Sequence, residues 1–198
     1  LEAAAFNDGG SGSYLISTTD VTSAAPILFF SLASAVTTAS AAVMGGLTAQ
    51  TNDIIAFNGS GFSTWLHGND SGLTGAVLRD FDIINANELV VAFNTPVTLS
   101  GFTFDDSDLA RLTRNTSGSG FAISMFFDGS DVGLTTNNEA IDAITGLPNG
   151  SWLISTRGGG SVTGVNNFSA EDILRFAPTR LGATTTGAQQ AAEQPAQV

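Results

Sequence analysis

One phrase is spelled twice in this chain, as "WLHGNDSGLT" from Trp65 to Thr74 and as "FFDGSDVGLT" from Phe126 to Thr135. Each is an apolar pair, a Gly/Asp/Ser turn and a Gly-Leu-Thr exit. A unit that recurs along a sequence is one small supersecondary element that buries its apolar face only against its neighbours, so the repeat constrains the fold before anything else does. Phe62 aligns with Phe121, Trp65 with Phe126, Asp70 with Asp131, Gly72 with Gly133 and Leu73 with Leu134. Downstream, "FDII" (81–84) falls on "IDAI" (141–144), which puts Asp82 with Asp142. "LVVA" (89–92) falls on "WLIS" (152–155), and "SDLARL" (107–112) on "EDILRF" (171–176). A further copy is visible at its end, where "VMGGLTAQTNDIIAF" (43–57) lines up with "TLSGFTFDDSDLARL" (98–112). The anchoring residues Asp53, Asp108 and Asp172 are 55 and 64 residues apart.

Within a copy the pattern is strand, turn, strand, turn. "FAISMFF" alternates and is rich in Phe, "AIDAITGL" is short and apolar, "NG" is a hairpin signal, "SWLIST" returns, and "DILRF" supplies a fourth strand. The expectation is an all-β chain of about three propeller-blade-like, four-stranded antiparallel repeats of roughly 55–64 residues, at about 1–57, 58–112 and 113–181 of a single domain, 1–181. The doubled phrase then reads as the outer strand of a blade and the loop leaving it. Propellers usually have four to eight blades, so the repeats are expected either to stay open or to be completed by oligomerisation. "GATTTGAQQAAEQPAQV" (182–198) reads as a low-complexity tail, for which a neighbouring subunit is the natural packing partner.

Charge narrows the function classes. There are 18 acidic and 6 basic residues, a net charge of −12, and every basic residue is an isolated Arg. Nucleic acid and anionic membrane surfaces both demand clustered positive charge, so both are disfavoured. The chain has no Cys, which removes disulfides, thiolate metal sites and thiol nucleophiles. Pro26–Leu47 is uncharged and about as long as a bilayer span, but Ser and Thr dilute it and no Arg flanks it; buried strands or a hydrophobic contact surface are the expectation there, not a membrane span.

"FDGSDVGL", "EAIDAITGLPNGSWLIST" and "EDILRFAPT" resemble a repeat of exported bacterial surface proteins, some of which carry a C-terminal sorting signal of the PEP-CTERM kind. The resemblance is firmest over 120–179 and extends over 61–112. It implies export, a cell-surface or extracellular location, and no catalytic residues. No sorting signal of that kind is read after Gln194-Pro195.

Site chemistry is sparse. The acidic turns holding Asp128 and Asp131, and Asp105 and Asp108, are calcium candidates through carboxylate and carbonyl oxygens, set against the plainer role of capping tight turns; "GND" (68–70) belongs with them. No other cofactor is indicated. His67 is the only His and aligns with Asp128, so a Ser-His-Asp arrangement would have to use it, yet no G-x-S-x-G elbow surrounds any Ser. Glu88, Glu139 and Glu171 are the glutamates a paired-carboxylate hydrolase would draw on. Trp65 and Trp152 are sugar-stacking candidates, but they align with Phe126 and Leu89, positions of core character. The reading is therefore a non-enzymatic, exported structural protein, a subunit of an extracellular filament, sheath or surface layer whose partners are copies of itself. The alternative is a carbohydrate- or ligand-binding propeller-like module with glycans as partners, and a hydrolase comes third.

Overall fold

The computed structural model describes residues 5–7, 13–15, 27–38, 40–116 and 120–191. Their architecture is all-β, built from several small antiparallel sheets with short 3-10 turns between them. β1 (Ala5–Asn7) pairs with β2 (Ser13–Leu15), and β3 (Leu28–Phe30), β4 (Ile54–Phe57) and β5 (Phe62–Leu66) form the first sheet. The middle sheet is a four-stranded meander of β6 (Leu78–Asn85), β7 (Glu88–Phe93), β10 (Leu109–Arg114) and β11 (Phe121–Phe127). A hairpin of β8 (Val97–Leu99) and β9 (Phe102–Phe104) is inserted between its second and third strands. The third sheet repeats the plan with β12 (Ile141–Gly146), β13 (Trp152–Thr156), β16 (Leu174–Arg180) and β17 (Thr186–Ala191), and its inserted hairpin is β14 (Gly160–Val162) with β15 (Val165–Phe168).

The sheets divide the sequence at a different place from the repeat reading. "FAISMFF" is the last strand of the middle sheet, and "AIDAITG" opens the third. The stretch read as a tail supplies β17, which pairs along its length with β16 of the same chain, from Leu174↔Ala191 to Arg180↔Thr186. Residues 192–198 lie outside the described residues, as does most of Gly12–Thr18, whose "GSYLIST" echoes "GSWLIST". No helix among the described residues is long and apolar enough to cross a membrane. Pro26–Leu47 contains β3 and the 3-10 turn Ala41–Met44, with Pro26 and Ala39 outside the described residues.

The middle sheet is buried on both faces. Its rear face, with Leu89, Val91, Ala110 and Leu112, packs on Phe29, Ile54 and Leu66 of the first sheet. Its forward face, with Val90, Ala92, Leu109 and Phe127, packs on Ile141, Ile144, Trp152, Ile154 and Phe176 of the third. This explains why β7, "ELVVAF", lacks the polar/apolar alternation of a one-sided strand: from Leu89 to Phe93 every side chain is buried. The first-to-middle and middle-to-third junctions use equivalent residues. Ile54 and Leu109 are each one residue past an anchoring Asp, and each points forward into the next sheet. Both also precede the same β-bulge, which leaves Trp65 in β5 and Phe126 in β11 as the extra residue.

Candidate functional site

The doubled phrase is a clamp that closes one strand pair onto the next turn. Asp53 accepts the Gln50 amide at 2.8 Å with one carboxylate oxygen and the Gly68 amide at 2.8 Å with the other. Asp108 does the same with Asp105 (2.7 Å) and Gly129 (2.9 Å), and Asp172 makes the first of these bonds with Ser169 (2.7 Å). The residue before the Asp completes the clamp. Asn52 Nδ2 donates to the Leu73 carbonyl at 2.8 Å, and Ser107 Oγ donates to that of Leu134 at 3.2 Å. Leu73 and Leu134 are buried as plugs, and Gly72 and Gly133, at φ +87° and +100°, turn the chain into them.

Each of the calcium candidates has at least one carboxylate oxygen on a backbone amide. Both Asp108 oxygens hold backbone amides. Asp131 Oδ2 accepts the Thr185 amide at 2.6 Å, and Asp128 Oδ1 accepts the Ser130 amide (3.2 Å) and hydroxyl (2.7 Å). Asp105 Oδ1 accepts the adjacent Asp106 amide at 3.2 Å. The Asp128 amide donates to Thr185 Oγ1 at 2.9 Å, so the 128–131 turn is where the loop before β17 docks. Among the described residues no group of three or more His, Cys, Asp and Glu side chains is disposed to hold a metal ion. Asp105, Asp106, Asp108 and Asp128, with Thr103 and Ser130, do line a groove of about 400 Å³. Burial, reinforced by the neighbouring Asp105 charge, raises the Asp106 carboxyl, and burial raises that of Asp108 against its two amide donors.

The remaining candidates are dispersed. His67 is exposed on the loop after β5. Glu88 pairs with Arg111 at 2.5 Å, and Glu171 is exposed. Glu139 is buried in a capping box. Burial alone would raise its carboxyl, but bonds from the Thr135 amide, the Thr136 hydroxyl and the Ser161 and Thr136 amides outweigh that and lower it. Trp152 is buried edge-on to Phe126 at 5.0 Å, and Trp65 packs edge-on to Phe29 at 5.3 Å, both in the inter-sheet cores.

On sequence, Asp80 goes unmarked and Asp82 falls on Asp142 as a recurring residue. Asp80 and Asp82 project from β6 at the junction with β12, whose outer edge has no strand beside it among the described residues. Asp80 Oδ2 accepts the Ile144 amide at 2.6 Å and Asp82 Oδ2 accepts that of Gly146 at 2.7 Å, so two carboxylates stand in for a missing strand. Asp80 is fully buried, and its Oδ1 has no hydrogen-bond partner. Desolvation lifts its carboxyl well above the usual range, with the Asp82 and Asp142 charges adding to the rise; desolvation also raises Asp82. The strand register, with a bulge at Leu78/Asp80 and another at Ile141/Ala143, places Asp80 with Ala143 and Asp82 with Thr145. The alignment of Asp82 with Asp142 is thereby corrected: these two carboxylates have no counterpart in the third sheet. The signal was in "RDFD", where two Asp residues share one face of a strand.

The forward face of the third sheet differs from those of the other two among the described residues. Leu153 occupies the place of Val90, and Ile173 the place of Leu109 and Ile54. Ile54 is 0% exposed and Leu109 1%, whereas Ile173 is 42% exposed. Along β13 the side chains alternate between buried and half-buried, unlike the continuous burial along β7. Comparison with protein-family models, with curated proteins and with solved structures found no match.

Proposed function

We propose that this chain is a non-enzymatic, exported structural protein that self-assembles as a subunit of an extracellular filament, sheath or surface layer. The carrying observation is on the forward face of the third sheet: Ile173, at the position where Ile54 and Leu109 seal the two inter-sheet junctions, is exposed there. Three further points support the reading. The four-stranded meander is the strand order of a propeller blade, so blade-like units can add without limit if the ring stays open. Asp53, Asp108 and Asp131, which recur or stand in the acidic turns, hold backbone amides. The repeat resembles those of exported bacterial surface proteins.

Negative-stain imaging with light scattering on the native material tests this. Long regular polymers or sheets are expected. A discrete monomer or a small closed ring at all concentrations contradicts the proposal and makes the acidic groove at Asp105, Asp106 and Asp128 the next place to seek a ligand, with a glycan as the first class to try.

A further inference from the structure

We infer that Arg79, Asn94 and Arg157 form a binding site for a carboxylate at the seam between the middle and third sheets. Such a site exists in the single chain, whether or not copies assemble. Two of the six Arg residues of a protein of net charge −12 meet there. Arg79 Nη1 donates to Asn94 Oδ1 at 3.2 Å, and Arg157 Nη2 donates to the same oxygen at 3.4 Å. Strand geometry brings the three together. Asn94 and Arg157 are equivalent, each one residue past the strand position, Phe93 or Thr156, that pairs with the opening residue of its hairpin, Leu78 or Ile141. Their amides donate alike, to the Val77 carbonyl at 2.9 Å and the Ala140 carbonyl at 2.8 Å. Arg79 is the extra residue of the β6 bulge between Leu78 and Asp80, and a bulge re-aims the side chain it leaves unpaired.

Two guanidinium groups on one neutral oxygen repel each other and leave most of their donors uncommitted. Among the described residues neither is in an ion pair, unlike Arg111 with Glu88. Arg157 does not turn to Asp142, which stands in the third sheet where Arg79 stands in the middle one and accepts the Ser155 hydroxyl instead. Arg79 Nε is buried and has no hydrogen-bond partner, so this cation is desolvated without full compensation, and an anion at its outer Nη atoms gains most there. Arg79 is half-buried and Arg157 exposed, which gives the pair a fixed inner member and an outer one open to solvent. Charge selects the ligand. Asp106 is near enough for its charge to act with that of Arg157, so two positive charges and one negative leave a single positive charge to neutralise. A carboxylate, a flat monoanion that guanidinium forks grip with paired hydrogen bonds, meets that demand, and a dianion such as sulfate exceeds it.

Nitrogen–proton correlation spectra of the Arg side chains in dilute protein test this, with sodium acetate replacing sodium chloride at constant ionic strength. The buried Arg79 Nε–H is the reporter, and that of Arg180, exposed at the end of β16, is the reference. A saturable shift of the Arg79 signal with little change at Arg180 is expected. Arg157→Gln, at an exposed position that leaves both cores untouched, is expected to weaken the apparent acetate affinity by about tenfold or more. Linear shifts of equal size at Arg79 and Arg180, or an affinity unchanged by Arg157→Gln, overturn the site. Sulfate binding more tightly than acetate overturns the ligand class. The source of the carboxylate is read from light scattering: assembly dispersed by acetate and by Arg157→Gln alike places an Asp or Glu of a second copy in the site, and assembly indifferent to both places a soluble acid there. Either result keeps the carboxylate site.

Discussion

Gly129→Ala is expected to destabilise the protein by about 3–5 kcal/mol, a large share of the stability of an ordinary domain. The reason is contact, not backbone conformation. Gly129 has φ −65° and ψ −31°, which any residue adopts. A methyl group there would overlap the Ser107 carbonyl oxygen and lie 2.9 Å from Ser107 Cβ, and neither can move without opening the clamp that Asp108 and Ser107 close. Gly68→Ala should behave alike, since its methyl would meet the Asn52 carbonyl at the equivalent place. Gly61→Ala, where a methyl meets nothing within 4 Å, is the control and should change little. Denaturant unfolding of the three variants checks this: a Gly129→Ala midpoint matching that of Gly61→Ala would remove the clamp from the account.

Asp80→Ala is expected to cost about 2–4 kcal/mol, because it strands the buried Ile144 amide without an acceptor at the junction of two sheets. Asp80→Asn keeps an acceptor and removes the charge, and the two substitutions separate along the pH axis. The folded-state carboxyl titrates above its ordinary value of 3.8, so the folded protein binds this proton more tightly than the unfolded chain does. Its contribution is fully present below pH 3.8 and is lost as pH rises through the higher folded-state value. Over that window the wild type should lose stability with rising pH, and Asp80→Asn should flatten the slope and become the more stable of the two at the upper end. Glu139 works in the opposite sense: its lowered carboxyl contributes stability that is present above its ordinary value of 4.5 and lost as pH falls through the folded-state value. Unfolding midpoints of both Asp80 variants and the wild type across this range decide the matter, and a slope unchanged by Asp80→Asn contradicts the assignment.

The all-β character and the repeating Asp anchors were legible because turn chemistry is local: an Asp bonding the amide three residues earlier leaves its mark in Asp53, Asp108 and Asp172 alike. Where one sheet ends and the next begins was not legible. A period gives the length of a unit but no starting point, and the turn segment between β11 and β12 has no sequence mark that tells a connection between sheets from one within a sheet. β17 was hidden for another reason. It lies at the sheet edge and is held by backbone pairing to β16, so "TGAQQA" needs no apolar alternation; even its inward Gln189 is satisfied, donating to the Val132 carbonyl at 3.1 Å. The Asp80 and Asp82 pair was obscured by register: setting "FDII" on "IDAI" places Asp82 on Asp142, three residues from the Thr145 position that the strand pairing gives it, and the bulge is common to both strands.

The central claim is that the forward face of the third sheet is open in the single chain and covered in the assembly. Its most direct measurement is the thiol-labelling rate of the Ile173→Cys variant, taken on dilute monomer and on assembled material. The account predicts fast labelling in the monomer and a rate at least about tenfold lower after assembly, as Leu109, its buried counterpart one sheet earlier, leads one to expect. Equal rates in both states, or protection already present in the monomer, would contradict it.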